Sequence, residues 1–129
     1  MKAFFTAFKA KFDTANLFNA AVGGRFRYGE APQDWEGVPY AIYSGGESQP
    51  EDTFDTLFET LQVQVSCYAS DPGTAQANME LAETLFHGAR LSVVGYQDVV
   101  LRRTVKINAM EDDDKWMSAV EFECRLIKL

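Results

Sequence analysis

The segment "TLQVQVSCYA", residues 60–69, alternates apolar and polar residues without a break. Successive side chains of a strand point to opposite sides, so this alternation predicts a β-strand with one buried face and one polar face. A sheet with one buried face needs another layer packed on that face. The predicted buried residues are Leu61, Val63, Val65 and Cys67, and the predicted polar residues are Gln62, Gln64 and Ser66.

Two segments have the period of a helix that is buried along one face. The first covers residues 1–22 and ends at Gly23-Gly24, and Asp13-Thr14 offers a cap at which this helix would kink. A helix lying on a membrane surface would carry the same Phe stripe, although a stripe that packs in the core is commoner. The residues of its apolar face are Phe4, Phe8, Phe12, Ala15, Phe18 and Val22.

The second helical segment is "SDPGTAQANMELAETLFHG". Asp71 is the candidate N-cap, Pro72 suits the first helical position, and Gly88 ends the helix. His87 falls in the last turn, where a cation suits the helix dipole; a catalytic or ligand role is the alternative. The predicted buried residues are Ala75, Met79, Ala82 and Phe86.

Two long extended runs, 99–109 and 116–129, are joined by "MEDDDK" and predict an antiparallel hairpin with a tip at about 109–115. The residues expected to face the core are Leu101, Val105, Ile107, Trp116, Val120, Phe122, Cys124 and Leu126. The residues expected on the opposite, charged face are Arg102, Thr104, Lys106, Glu121, Glu123 and Arg125.

The stretch "GGRFRYGEAPQDWEGVPYAIYSGG" contains two short extended runs around a polar turn, and we interpret residues 25–46 as a hairpin. Trp35 in that turn either folds back over the core or anchors an interface. The polar segment that follows has no regular period and predicts a flexible arm at about 45–58. The chain is therefore expected to form one α+β domain, 1–129, with two helices packed on a mainly antiparallel sheet in the order α-β-β-(arm)-β-α-β-β.

The composition argues against nucleic-acid binding and against catalysis. Twelve Lys and Arg stand against nineteen Asp and Glu, a formal charge of -7, which disfavours nonspecific attraction to phosphate. Cys67 and Cys124 lie inside predicted strands, as reduced buried thiols or, alternatively, as a disulfide or redox pair. Catalytic motifs are lacking, and the acidic run 111–114 lacks the ligand spacing of a calcium loop. We predict no enzyme activity, no cofactor and no metal.

The N-terminal run "MKAFFTAFKAKF" has neither an uninterrupted apolar segment nor a cleavage signal. It therefore predicts no export signal and no membrane span, and a protein found in the cytoplasm.

Taken in order, "GGRFRYGEAP", "VPYAIYS" and "VSCYASDPGTAQANMELAETLF", with the polar arm and the terminal hairpin, resemble the tail-completion or tail-terminator proteins of long-tailed bacteriophages and related head-tail joining proteins. The resemblance covers nearly the whole chain. It implies a virion structural protein, assembled in the host cytoplasm, that forms a ring, typically of six subunits, at the head-proximal end of the tail.

By the same resemblance, the ring caps the tail tube and contacts the head connector or stopper protein, while genome DNA passes through without specific binding. The arm and the hairpin tip would reach neighbouring subunits or the tube. The alternatives are a neck role in head-tail joining and a small ligand-binding module. The residues expected at the subunit or tube interface are Trp35, Phe54, Phe58, Arg102, Lys106, Asp112 and Asp113.

Overall fold

The computed structural model of the protein describes residues 2–45, 49–51 and 58–129. The described elements confirm the predicted α+β class with a mainly antiparallel sheet, and they include three α-helices where two were predicted. The helices are α1 (Lys2–Phe12), α2 (Leu17–Val22) and α3 (Pro72–Phe86). The strands are β1 (Phe26–Tyr28), β2 (Tyr40–Gly45), β3 (Gln49–Glu51), β4 (Phe58–Ala69), β5 (Arg90–Leu91), β6 (Val99–Val100), β7 (Arg102–Asp112) and β8 (Lys115–Ile127).

The main sheet has the strand order β1-β2-β4-β8-β7, and β3 also pairs with β4. The alternating segment 60–69 lies in β4, which pairs antiparallel with β8 from Phe58 opposite Ile127 to Ala69 opposite Trp116. Its predicted inward residues are all buried, as expected, and Ser66 on the predicted polar face is buried as well. Strands β5 and β6 form a separate two-stranded sheet.

Strands β1 and β2 are parallel, so the hairpin interpretation of residues 25–46 is wrong. Phe26 lies opposite Ala41 and Tyr28 lies opposite Tyr43. A hairpin would reverse that order, whereas a parallel pair needs a connection long enough to return the chain to the same end of the sheet. Residues 29–39 make this connection, which begins at Gly29 with a φ of 84° and contains a 3-10 turn, Gln33–Trp35.

The first helical segment is broken into α1 and α2 at residues 13–16, and its cap is Asn16, not Asp13 or Thr14. The Asn16 side chain accepts a hydrogen bond from the backbone N–H of Asn19 (2.7 Å) and donates one to the carbonyl of Phe12 (3.0 Å). It thereby satisfies the end of one helix and the start of the next. Ala15, expected on the buried face, is exposed in this break.

The helices pack on one face of the main sheet through an aromatic core. Phe8 of α1 stacks on Phe86 of α3 with ring centroids 4.2 Å apart, and Phe12 stacks on Phe26 at 4.4 Å. Phe86 also meets Phe122 of β8 edge to face. The Phe stripe is therefore a core stripe. None of the helices in the described part of the chain is long and apolar enough to cross a membrane.

Helix α3 confirms its predicted start and its predicted buried face. The Asp71 carboxylate accepts a hydrogen bond from the backbone N–H of Thr74 (2.9 Å), and Pro72 begins the helix. His87 is the C-cap residue, and its Nδ1 accepts a hydrogen bond from the backbone N–H of Arg103 (3.0 Å). His87 thus connects the end of α3 to the start of β7.

The terminal hairpin is confirmed, but two β-bulges in β7 change which side chains face the helices. Arg103 lies opposite Phe122, the next residue of β7 is unpaired, and Val105 then lies opposite Glu121. A bulge shifts the alternation by one residue. Val105 and Ile107, expected in the core, therefore lie on the face away from the helices, and Lys106, expected on that face, turns toward α3.

Candidate assembly surface

We define the outer face as the side of the main sheet opposite the three described helices. Cross-strand pairing places Ile42, Ser66, Ala119 and Ile107 in one row across this face. The small residues Ser66 and Ala119 are buried between larger neighbours. Val105 and Met110 are half exposed on the same face. The outer face therefore presents apolar side chains as well as polar ones.

A groove with a volume of 590 Å³ lies at one end of the outer face. Residues 29–38 form one wall, and the hairpin tip forms the other. Ile42, Tyr40 and Tyr68 line it, and the two tyrosine rings stack with centroids 5.0 Å apart. The groove exists because the β1–β2 connection runs across this part of the sheet.

Lys115 links the floor of the groove to the hairpin tip. Its ammonium nitrogen lies 5.4 Å from the centre of the Tyr68 ring, a cation–π distance. A hydrogen bond with Tyr40 is the main cause of its raised pKa, although burial acts in the opposite direction. Burial is the main cause of the raised pKa of Tyr68, and the charge of Asp112 adds to it.

Carboxylates surround this aromatic floor. Four of them line the groove, and Lys115 is the one cationic side chain among the described lining residues. The groove is therefore acidic at neutral pH. The four carboxylates belong to Glu30, Glu36, Asp112 and Asp114.

The structure brings together three of the predicted interface residues at this end of the sheet. Trp35 is half buried and packs on Tyr40 with ring centroids 5.7 Å apart, so it supports the groove wall instead of entering the main core. Asp112 lines the groove. Asp113 occupies the adjacent two-residue turn with a φ of 56°.

The other predicted interface residues lie elsewhere. Arg102 is exposed at the start of β7 opposite Glu123. Lys106 forms an ion pair with Glu83 of α3 (3.5 Å between Nζ and Oε2), beside Arg103, whose Nε lies 3.0 Å from the same oxygen. Phe58 begins β4, and Phe54 lies outside the described residues. Three residues of the expected arm, 49–51, pair with β4 as strand β3.

Toward the end of the sheet opposite the groove lie two exposed arginines that we call the basic corner, Arg90 and Arg102, while neighbouring Arg103 is ion-paired with Glu83. The pairing of Arg90 with Val100 brings β5 beside the start of β7. Arg102 lies opposite Glu123, and the groove lies at Lys115, eight residues earlier in β8, so the two regions lie about 26 Å apart at roughly 3.3 Å per residue. Arg90 belongs to no sequence motif and was not predicted, whereas Lys115 is the last residue of the predicted hairpin tip.

Chemically reactive groups do not converge in the part of the chain that the structure describes. Within it, no three His, Cys, Asp or Glu side chains are placed to hold a metal ion. Both cysteines are free and buried.

Comparison with known proteins assigns the chain to a family. The model of the family described as "Tail completion protein gp17" matches residues 3–127, so the chain belongs to that family. Its role is that of a structural protein of a phage tail, a component of the virion. No curated protein sequence gives a significant match.

Two solved structures share the fold. A chain from the virion of a native gene transfer agent particle superposes with a TM-score of 0.75 and 18% identity, covering 95% of this chain and 92% of that one. A second chain, described only by a sequence identifier, has a TM-score of 0.58 and 12% identity, covering 99% of this chain and 95% of that one.

Proposed function

We propose that the protein forms a ring of six subunits that caps the finished tail tube and joins it to the head connector or stopper protein. The observation that carries this proposal is the outer face of the sheet, which none of the described helices covers. All three described helices pack on the opposite face, while half-exposed Val105 and Met110 and the acidic groove remain on the outer one. Apolar surface of this kind in a tail completion protein fits contact with other subunits.

A closed ring is the assembly that suits such a surface. Contacts between two different patches of the same chain generate either a ring or an open filament. A protein that completes a tail must stop its growth, so the closed form fits this role. The helix layer and the sheet layer would then present different chemistry to the tube and to the connector.

The acidic balance fits the passage of DNA through such a ring. Seven more acidic than basic residues give a subunit that repels phosphate overall. A genome would move through without being held. The proposed location is therefore the head-proximal end of the tail.

Native mass spectrometry combined with negative-stain imaging tests this function, with and without purified tail tubes. We expect closed rings in solution or on tube ends. A protein that stayed monomeric at high concentration and also with tubes present would contradict the proposal and favour a ligand-binding module. Rings that bound isolated connectors but left tube ends bare would instead indicate a neck role.

A further inference from the structure

The two ends of the main sheet carry opposite charge. The groove has four lining carboxylates against the single ammonium of Lys115, among the lining residues described. The basic corner carries the guanidinium groups of Arg90 and Arg102, about 26 Å away along β8 at roughly 3.3 Å per residue. Within residues 2–45, 49–51 and 58–129, no ion pair involves Arg90 or Arg102. One subunit cannot bring these two regions together by itself.

We infer that the acidic groove of one subunit receives the basic corner of a second copy of this chain. This inference rests on the ring proposed above and names the surfaces that would form it. A two-fold contact between like surfaces would place carboxylates against carboxylates, which is unfavourable. A head-to-tail contact pairs opposite charges at every interface, and it gives a closed ring where its repeated rotation completes a full turn.

The chemistry of the groove suits an arginine side chain. A guanidinium donates parallel hydrogen bonds to a carboxylate and packs flat on an aromatic ring. The stacked rings of Tyr40 and Tyr68 supply the aromatic surface. The rim carboxylates of Glu36 and Asp114 are exposed and line the same groove.

Pairing between the edge strands of two subunits is a less suitable contact for the proposed ring than the contact between groove and basic corner. Strand β7 is the edge strand on its side of the main sheet, and two bulges interrupt it, between Arg103 and Val105 and between Ile107 and Met110. Bulges and charged residues on an edge oppose continuous pairing with another strand. Contact through side chains at the two ends of the sheet avoids this obstacle.

Charge reversal with complementation tests the inference. The groove variant is Glu36→Lys/Asp114→Lys, and the corner variant is Arg90→Glu/Arg102→Glu. All four positions are exposed, so folding is checked by circular dichroism and thermal unfolding. Glu80→Lys, an exposed reversal on α3, is the matched control. Ring content is measured by native mass spectrometry on tail tubes and in solution.

We expect each double variant alone to lose roughly tenfold or more of its rings, because every interface then juxtaposes like charges. A mixture of the two variants should recover rings, since alternating subunits pair reversed groove with reversed corner and native corner with native groove. Those rings should contain equal numbers of the two chains. The Glu80→Lys control should match the wild type.

Two results would overturn the inference and leave the proposed function intact: rings that form normally in both variants, or variants that lose rings and do not recover them when mixed. A wild-type protein that formed no rings even on tail tubes would refute the proposed function, and this inference with it.

Discussion

The ring of Phe5 lies directly against the backbone of Gly45, at the position that a β-carbon on residue 45 would occupy. Phe5 is held there by edge-to-face contact with Tyr28, whose ring centroid is 5.0 Å away, and by Tyr43. Overpacking a site of this kind costs about 1–3 kcal/mol. We therefore expect Gly45→Ala to lower the free energy of unfolding by that amount, measured by urea denaturation.

Gly73→Ala is the control for this substitution. Gly73 lies in the first turn of α3, and an added β-carbon would meet only a carboxylate oxygen of Asp71 at 3.3 Å. That capping oxygen must shift by a few tenths of an ångström, whereas Ala is favoured over Gly within helices, so we expect a much smaller change in stability than for Gly45→Ala. Phe5→Ala should also cost less in the Gly45→Ala background than in the wild type. If the free-energy costs of Phe5→Ala and Gly45→Ala were strictly additive in the double variant, the Phe5 ring and the added β-carbon would not be in steric conflict.

The Gln76 side chain connects α3 to the second bulge of β7. Its Oε1 accepts hydrogen bonds from the backbone N–H of Ala109 (2.9 Å) and from the hydroxyl of Ser118 (3.0 Å). Ser118 is fully buried. Gln76→Leu removes the acceptor for both donors, so we expect a loss of about 2–3 kcal/mol in chemical denaturation.

Gln76→Glu separates this hydrogen bonding from simple packing, because it keeps an oxygen acceptor at this position and loses only the Nε2 donor to Asn108 Oδ1 (3.3 Å) and Glu80 Oε1 (3.5 Å). We expect its cost to be clearly smaller than that of Gln76→Leu. Ser118→Ala should recover part of the loss in the Gln76→Leu background, since it removes the unpaired hydroxyl. Equal destabilisation by Leu and Glu at residue 76 would rule out the proposed role of the acceptor.

Much of the fold could be predicted because buried apolar residues recur at a regular spacing in the sequence. The alternation of β4, the Phe period of α1 and the Asp71-Pro72 start of α3 each reflect local geometry. The bulges of β7 have no such periodic signal in the sequence. They are irregularities in the pairing with β8, and the second also involves the distant Gln76 side chain at Ala109. The first bulge shifts the alternation, so the sequence pattern placed Val105, Lys106 and Ile107 on the wrong faces.

Individual residues of the candidate surface could be predicted from the sequence, but their common location could not. Trp35 and Asp112 stood out as an aromatic residue in a polar turn and an acidic residue at a hairpin tip. Their common location follows from the parallel pairing of β1 with β2, which sends residues 29–39 back across the sheet. A short connection of this kind could equally be a hairpin turn. The groove therefore became visible only in three dimensions.

The two cysteines are expected to be unreactive in the folded protein. Burial raises the pKa of the Cys67 thiol, and burial with the nearby charge of Glu123 raises that of Cys124 to about 12. At pH 8, DTNB should label neither cysteine until the protein is denatured, after which it should label both. Fast labelling of the native protein would contradict the buried positions.

The same pKa values give a pH dependence of stability. The unfolded thiols ionise near their ordinary value of 9.0, whereas the folded thiols keep their protons to higher pH. Their contribution to stability is therefore complete below about pH 9 and is lost as the pH rises from 9 toward 12. Cys124→Ser should weaken this alkaline loss in thermal unfolding measured across that range.

The purified protein is expected to show no appreciable affinity for duplex DNA at physiological salt. Nonspecific binding comes mainly from Lys and Arg side chains that displace counterions from phosphates, and this chain has seven more acidic than basic residues. The basic corner is the local exception, and a neighbouring subunit is its proposed partner. A gel-shift titration should therefore show free DNA throughout, for the wild type and for Arg90→Glu/Arg102→Glu alike. Salt-sensitive binding that disappeared in this variant, with rings still forming, would instead identify the basic corner as a DNA contact and favour a neck component that grips the genome.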